Sequence, residues 1–334
     1  MDDKENLLLK LKQGERAALA KAITLLESSR DSDQPLKKWL LDHLSTNNAT
    51  NSIRIAISGI PGVGKSTFIE TWSLFLLAKD PKLKIAVLSV DPASSVSKGS
   101  IMADKTRMSH LSRHEKAFIR PASAEGSFGG LAEYSREIIF LMEEAGYNFI
   151  VLETLGVGQT EYAALDMVDF FITLVMPHTG DDLQSLKKGI LEISDMILIN
   201  KADGDLKSHA IAAKHSLKQY AKDCDVLLVS SIEKQGLEEV TKALFELETK
   251  SRKSGDFYDQ RSRQAEKAFF TALKHQLIVR FRKSLFYSQH KDSLLQKLAQ
   301  KPCTSGAFAA DIAAKAIKML DQSGDFFGSA AKEE

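Results

Sequence analysis

Lys65 and Ser66 close the octapeptide Gly59-Ile60-Pro61-Gly62-Val63-Gly64-Lys65-Ser66, which fits the phosphate-binding pattern G-x-x-x-x-G-K-[ST] at every fixed position. Each fixed residue has a chemical reason. Glycines at 59, 62 and 64 let backbone N–H groups close around phosphate oxygens. An ammonium at Lys65 reaches the β- and γ-phosphates, where it can also act in catalysis, and a hydroxyl at Ser66 ligates Mg²⁺. Pro61 and Val63 complete the loop and Thr67 follows it. The flanks are those the pattern requires. Ile53-Arg54-Ile55-Ala56-Ile57 alternates and is β-branched, as a strand is, and Thr67 to Trp72 carries apolar residues at helical spacing. A helix starting there adds unpaired N–H donors and the positive end of its dipole to the phosphate site.

A base-reading element lies further on. Asn200-Lys201-Ala202-Asp203 follows the apolar run Met196–Ile199. A carboxylate at Asp203 accepts from both the N1–H and the amino group of guanine, donors that adenine does not offer in that arrangement. Against adenine that carboxylate is left unpaired, which rejects the wrong base more strongly than a missing contact would. Lys201 is expected along the base face, and Asn200 is expected to tie this loop to the phosphate loop. Ser230 and Ser231 follow the next apolar run, where a backbone N–H can meet the guanine carbonyl. GTP and GDP are therefore the expected bound nucleotides.

Further carboxylates sit where strands are expected to end. Glu153 follows Phe149–Leu152 and opens Glu153-Thr154-Leu155-Gly156. There it can hold Mg²⁺ directly or through water, and the Gly156 N–H can sense a γ-phosphate. Asp91 ends Ile85–Val90 and so points to the same strand-end crevice, and Asp104, in Ala103-Asp104-Lys105-Thr106-Arg107-Met108, lies on a loop or helix start. Gln159 is a candidate for orienting the attacking water, and Arg107 a candidate for stabilising charge in the transition state.

The elements that must position these groups are legible in outline. Short apolar runs at 85–90, 149–152, 170–176, 196–199 and 226–229 alternate with helical stretches, as buried parallel strands do. This predicts an α/β fold, a doubly wound, mostly parallel sheet with N-terminal and C-terminal helical extensions. The N-terminal arm, 1–50, reads as a helix over 5–29 with Leu11, Ala18, Ala22 and Leu26 on one face, then a helix over Gln34–Leu44 with Pro35 in its first turn. The nucleotide domain spans 51–250. Beyond it, 251–334 is helical, with Phe270, Leu273, Leu277, Phe281 and Leu285 at helical spacing, able either to cap the sheet or to pair subunits.

Composition excludes some classes. The chain has 334 residues, 43% of them hydrophobic, and a net charge of +1, so no basic excess points to nucleic acid. Its two cysteines, Cys224 and Cys303, make neither a disulfide framework nor a metal-ligand spacing. The acidic start Met1-Asp2-Asp3-Lys4-Glu5 is not an apolar signal, and no apolar run reaches membrane-spanning length, so a cytoplasmic protein is expected.

Taken together, these residues resemble the MeaB/ArgK family of P-loop GTPases, chaperones of cobalamin-dependent acyl-CoA mutases and of methylmalonyl-CoA mutase above all. The resemblance spans about residues 14–245. It rests on Gly14-Glu15-Arg16-Ala17-Ala18-Leu19-Ala20-Lys21-Ala22-Ile23-Thr24, on Gly59–Thr67, Asp91-Pro92 and Asp104–Met108, and on Glu153–Glu161. Its most specific segments are Pro177-His178-Thr179-Gly180-Asp181-Asp182-Leu183-Gln184 and Lys187-Lys188-Gly189-Ile190. No general GTPase needs these, and in the family they look like an extra switch that senses the partner.

The resemblance implies GTP hydrolysis that is slow alone and faster with the mutase, Mg²⁺ held by Ser66 with Asp91, Asp104 and Glu153 around it, and a homodimer built partly by the C-terminal helices. The implied role is gating cobalamin loading and protecting or reactivating the mutase, with a cobalamin adenosyltransferase as a second implied partner. The chain departs from the family at Ala103, where glycine is usual, within Arg120–Gly130, and at Lys267-Ala268-Phe269-Phe270-Thr271. Other readings of the same residues are a metallochaperone GTPase for another metalloenzyme, a transport-linked ATP kinase, and a binding switch that hydrolysis only resets.

Overall fold

The computed structural model describes residues 2–44, 51–91, 108–123, 134–154, 159–177, 188–220 and 224–300, with residues 309 and 312. Seven strands form one sheet: β1 (Ile53–Ser58), β2 (Ile85–Asp91), β3 (Ala117–Ser123), β4 (Phe149–Glu153), β5 (Phe170–Val175), β6 (Met196–Ile199) and β7 (Asp225–Leu228). Their order is β3-β2-β4-β1-β5-β6-β7 and every pairing is parallel. The chain builds outward from β1 to one side and then, from β5 on, to the other. The loop after β1 thus lies at the reversal of strand order, where open α/β sheets bind ligands.

Both faces of the sheet are covered, which is why β4, β5 and β6 read as nearly continuous apolar runs and β1 is buried along its whole length. One face packs Phe68, Ile69 and Trp72 of α4 (Lys65–Lys79) and Leu237, Val240 and Leu244 of α10 (Leu237–Ser254) against Ile55, Ile57, Val87 and Ile172. Against the other face lie α1 (Asp3–Lys12), α2 (Arg16–Glu27), α3 (Gln34–Asp42) and α6 (Ser135–Glu144), through Leu11, Leu19, Ile23, Leu40, Ile138 and Met142. Here α9 (Lys207–Tyr220) covers β6 and β7 with Ala210, Ala213 and Leu217.

The remaining helices are α5 (Ser109–Arg113), α7 (Gln159–Leu165), α8 (Lys188–Glu192), α11 (Asp256–Lys283) and α12 (Leu285–Gln300). The chain forms two compact units, Met1–Ala265 and Glu266–Glu334, so the N-terminal helices belong to the same unit as the sheet. In the second unit Phe269, Phe270, Leu273 and Leu277 are exposed along α11.

Two expectations need correction. The single helix over 5–29 is two helices, α1 and α2. Gly14 sits at a left-handed φ of 79° and its N–H bonds back to the Leu11 carbonyl, ending α1 so that α2 can fold back. The sequence reading also missed β3, because Arg120 and Pro121 interrupt its apolar pattern. It is an edge strand, where proline removes no ladder hydrogen bond that the sheet needs.

Candidate nucleotide site

The loop from Gly59 to Gly64 leaves the end of β1 and runs into α4. Gly64 caps that helix at a φ of 95°, and a Cβ there would stand 2.7 Å from the Asn200 side-chain nitrogen, so the close approach of the two loops depends on this glycine. Val63 is fully buried and anchors the loop in the core, while Pro61, Gly62 and Thr67 are exposed around it. Lys65 Nζ donates to the Gly59 carbonyl at 2.6 Å and lies 3.4 Å from that of Ile60, which holds its ammonium against the loop.

Ser66 and Glu153 come together at the ends of adjacent strands and helices. Ser66 Oγ donates to Glu153 Oε1 at 2.6 Å, and Ser89 Oγ donates to Glu153 Oε2 at 3.0 Å. Two hard oxygens already converge here. An octahedral Mg²⁺ with bonds of 2.0–2.1 Å places neighbouring oxygens about 2.9 Å apart, so the pair fits that ion. Ser89 was not foreseen. Its signal was a hydroxyl inside the apolar run of β2, in register with Glu153.

The base-reading loop is braced by its own side chains. Asn200, almost fully buried, donates through Nδ2 to the Val63 carbonyl at 2.8 Å and accepts at Oδ1 from the Ser231 hydroxyl at 2.8 Å. One amide thus joins the phosphate loop to the loop after β7. Asp203 Oδ2 accepts from Ser230 Oγ at 2.5 Å, which aims the carboxylate. Lys201 takes a φ of 59°, unusual for a residue with a Cβ, and its Nζ donates to the Gly62 carbonyl at 2.9 Å, so its stem bridges from this loop to the phosphate loop.

The structure therefore brings Gly59–Thr67, Glu153, Asn200, Lys201, Asp203, Ser230 and Ser231 to one end of the sheet. Asp91 is the last residue of β2, at the same end, and Gln159 opens α7. Asp104, Arg107 and Gly156 lie outside the described residues, as does most of the Pro177–Ile190 segment. Glu70 of α4, unforeseen, accepts the N–H groups of His110 at 2.7 Å and Leu111 at 3.1 Å, and so fixes the start of α5 where the chain returns after residue 107.

The arrangement can cradle a nucleoside triphosphate, hold a hard cation and read a base. Comparison with known proteins places the chain among GTPases. The profile of the family described as methylmalonyl Co-A mutase-associated GTPase MeaB matches residues 19–285. The chain is 42% identical to GTPase ArgK of Escherichia coli (strain K12) over 265 residues, 77% of this chain and 79% of that protein. It is 35% identical over 332 residues to the mitochondrial methylmalonic aciduria type A homolog of Mus musculus, 94% of this chain and 79% of that protein. A crystal structure described as a LAO/AO transport system kinase superposes with a TM-score of 0.74 at 30% identity, covering 94% of this chain and 99% of the other.

Proposed function

The chain belongs to the MeaB family of GTPases, and we propose that it is a Mg²⁺-dependent chaperone of a cobalamin-dependent acyl-CoA mutase, methylmalonyl-CoA mutase in the first place. In this reading it gates cobalamin loading, in step with an adenosyltransferase, and protects or reactivates the mutase. The observation that carries the nucleotide part is the Asn200 amide, which locks the guanine-reading loop onto the phosphate loop through Val63. The names of the family and of its mitochondrial relatives support the partner.

The proposed roles follow from placement. Backbone N–H groups of Gly59–Thr67 and the ammonium of Lys65 bind the phosphates, and Asp203 reads guanine with Ser230 holding its carboxylate. Ser66 and Glu153 hold Mg²⁺, with Asp91 and Asp104 around them. Bound there, the ion neutralises charge developing on the phosphate oxygens. Gln159 and Arg107 are the candidates for orienting water and stabilising charge. The exposed apolar residues of α11 support pairing of two copies as a homodimer.

Among the described residues no helix is long and apolar enough to cross a membrane, in keeping with a protein that meets its mutase in solution. The test is GTP turnover by the purified chain with and without a cobalamin-dependent mutase from the same cell. Stimulation supports the reading, and turnover unmoved by the mutase overturns the partner. The kinase-named structural neighbour makes ATP the competing substrate, and tight ATP competition for the GTP site would favour that reading.

A further inference from the structure

A serine interrupts the apolar run of β2. The strand reads Ile85-Ala86-Val87-Leu88-Ser89-Val90-Asp91, and its first four residues are fully buried. Ser89 is itself only 4% exposed. A hydroxyl in such a run adds little packing and persists where it makes a specific bond. That bond is to Glu153, the residue directly opposite in the register of β2 and β4.

The two side chains share a face of the sheet. Val87 and Val151, two residues back on each strand, pack in the core with Phe68 and Ile69 of α4. By the alternation of a strand, Ser89 and Glu153 point to the α4 side as well. There Ser66 Oγ donates to Glu153 Oε1 at 2.6 Å, and Ser89 Oγ donates to Oε2 at 3.0 Å. The two carboxylate oxygens thus differ in surroundings. Oε1 meets the hydroxyl that opens the phosphate-loop helix, and Oε2 is turned back against the neighbouring strand.

This division restricts a long side chain. Glutamate has one more rotatable bond than aspartate, so an unheld carboxylate at 153 takes up more orientations. Ser89 removes that freedom by holding one oxygen. The division also sets how a cation is ligated. The oxygens of one carboxylate lie about 2.2 Å apart, too close for two corners of a Mg²⁺ octahedron whose edge is about 2.9 Å. Mg²⁺ therefore takes one oxygen from such a group. Ca²⁺, with longer bonds and roughly six to eight ligands, accepts both. A glutamate with Oε2 held by Ser89 presents the single oxygen that suits Mg²⁺ and withholds the paired oxygens from which Ca²⁺ gains.

We propose that Ser89 is a positioning residue that keeps Glu153 to one-oxygen ligation and so sets the preference of the site for Mg²⁺ over Ca²⁺. This deepens the proposed function and rests on its assignment of Glu153 to the metal. The hydroxyl acts through the carboxylate and does not itself touch the ion.

The experiment measures release of a fluorescent GDP from the purified full chain, titrated with Mg²⁺ or with Ca²⁺, so that it reads metal binding and not turnover. Release from the wild-type chain should be slowed by Mg²⁺ at lower concentration than by Ca²⁺. In Ser89→Ala the Mg²⁺ midpoint should rise about ten-fold, the low end for loss of a group that supports a metal ligand, while the Ca²⁺ midpoint stays or falls. Ser89→Thr keeps the hydroxyl and should keep the preference. Ser89→Cys, close in size but a weaker donor, should fall between serine and alanine, so the test survives if Ser89→Ala does not fold. Midpoints for both ions that rise by the same factor would make Ser89 a general support of the site and overturn the proposal, as would midpoints that do not move. Wild-type release indifferent to Mg²⁺ overturns the metal assignment itself. That failure appears before any variant is made, so the two remain distinguishable.

Discussion

Ser66 and Glu153 share a 2.6 Å hydrogen bond although 87 positions separate them. The bond exists because β1 and β4 are neighbours, with Ile57 opposite Glu153, and because α4 begins a few residues past the end of β1. Ser89 holds the other carboxylate oxygen from β2. Three polar side chains, from one helix and two parallel strands, thus fix one oxygen cluster beside the phosphate loop.

Glu153→Gln tests whether this cluster holds Mg²⁺. The amide keeps an acceptor for Ser66 and loses the charge. The Mg²⁺ concentration for half-maximal GTP turnover should rise roughly 10–100-fold, the range seen when groups supporting a metal are altered. A Mg²⁺ titration of the steady-state rate checks this, and an unmoved midpoint would remove Glu153 from the metal set.

Much of this site was legible because its elements carry local signals. The glycine spacing, the apolar strand runs and N-K-x-D each sit in a short stretch of chain, and strand ends can be read from where apolar runs stop. What stayed hidden depends on neighbours distant in sequence. Ser89 matters only because β2 pairs with β4. The break at Gly14 was also overlooked, since apolar spacing continues through it in phase. In β3, position at the sheet edge overrode a composition that reads as loop.

Asp203→Asn should weaken GTP binding. Hydrogen bonds to a charged group contribute roughly 1.5–3 kcal/mol, so the dissociation constant should rise about ten-fold or more. Ser230 can still hold the amide oxygen, so the loop should keep its shape and the loss should be confined to the base. Titration with a fluorescent guanine nucleotide decides the matter, and unchanged affinity would cancel the base-reading role.

Gly64→Ala should weaken nucleotide binding roughly 5–150-fold while leaving the fold in place. The new methyl would meet Asn200 Nδ2 at 2.7 Å, and the residue would hold a φ of 95° that alanine disfavours. The strain is on the order of 1–3 kcal/mol. It is relieved by parting the two loops, which breaks the Asn200–Val63 bond. Calorimetry should record that rise in the dissociation constant for GTP, with a far-ultraviolet spectrum like that of the parent. Wild-type affinity in this variant would refute the close approach.

Cys224 should resist alkylation in the folded protein. Burial, then the charges of Asp195 and Asp225, push its thiol up to about 12. The reactive species is the thiolate, so at pH 8 only about one molecule in ten thousand presents it. Reactivity should appear as pH climbs towards 12, whereas an unfolded cysteine titrates near 8.5. Iodoacetamide labelling followed by peptide mass spectrometry, with and without urea, tests this. Rapid labelling of Cys224 in the native chain at pH 8 would contradict the burial.

The strand that delivers the phosphate loop depends on a buried ion pair at its opposite end. Arg54 lies inside β1 and is only 4% exposed, and Glu143 of α6 is 2% exposed. They meet through two hydrogen bonds of 2.7 Å, Ser52 donates to the same carboxylate, and Phe140 lies under the guanidinium. Glu143→Leu strands a desolvated cation and should cost roughly 3–5 kcal/mol in urea unfolding. The double variant Arg54→Met/Glu143→Leu replaces the pair with apolar groups of similar size and should recover most of that loss, because taking both charges out of water offsets much of their mutual attraction. Asp169 accepts the Arg54 backbone N–H and is clasped by Arg261, so the strand keeps its anchorage in the double variant. GTP affinity should then return with stability. A double variant no more stable than Glu143→Leu would mean that the pair sets the position of β1, and through it the phosphate loop, beyond what apolar packing can supply.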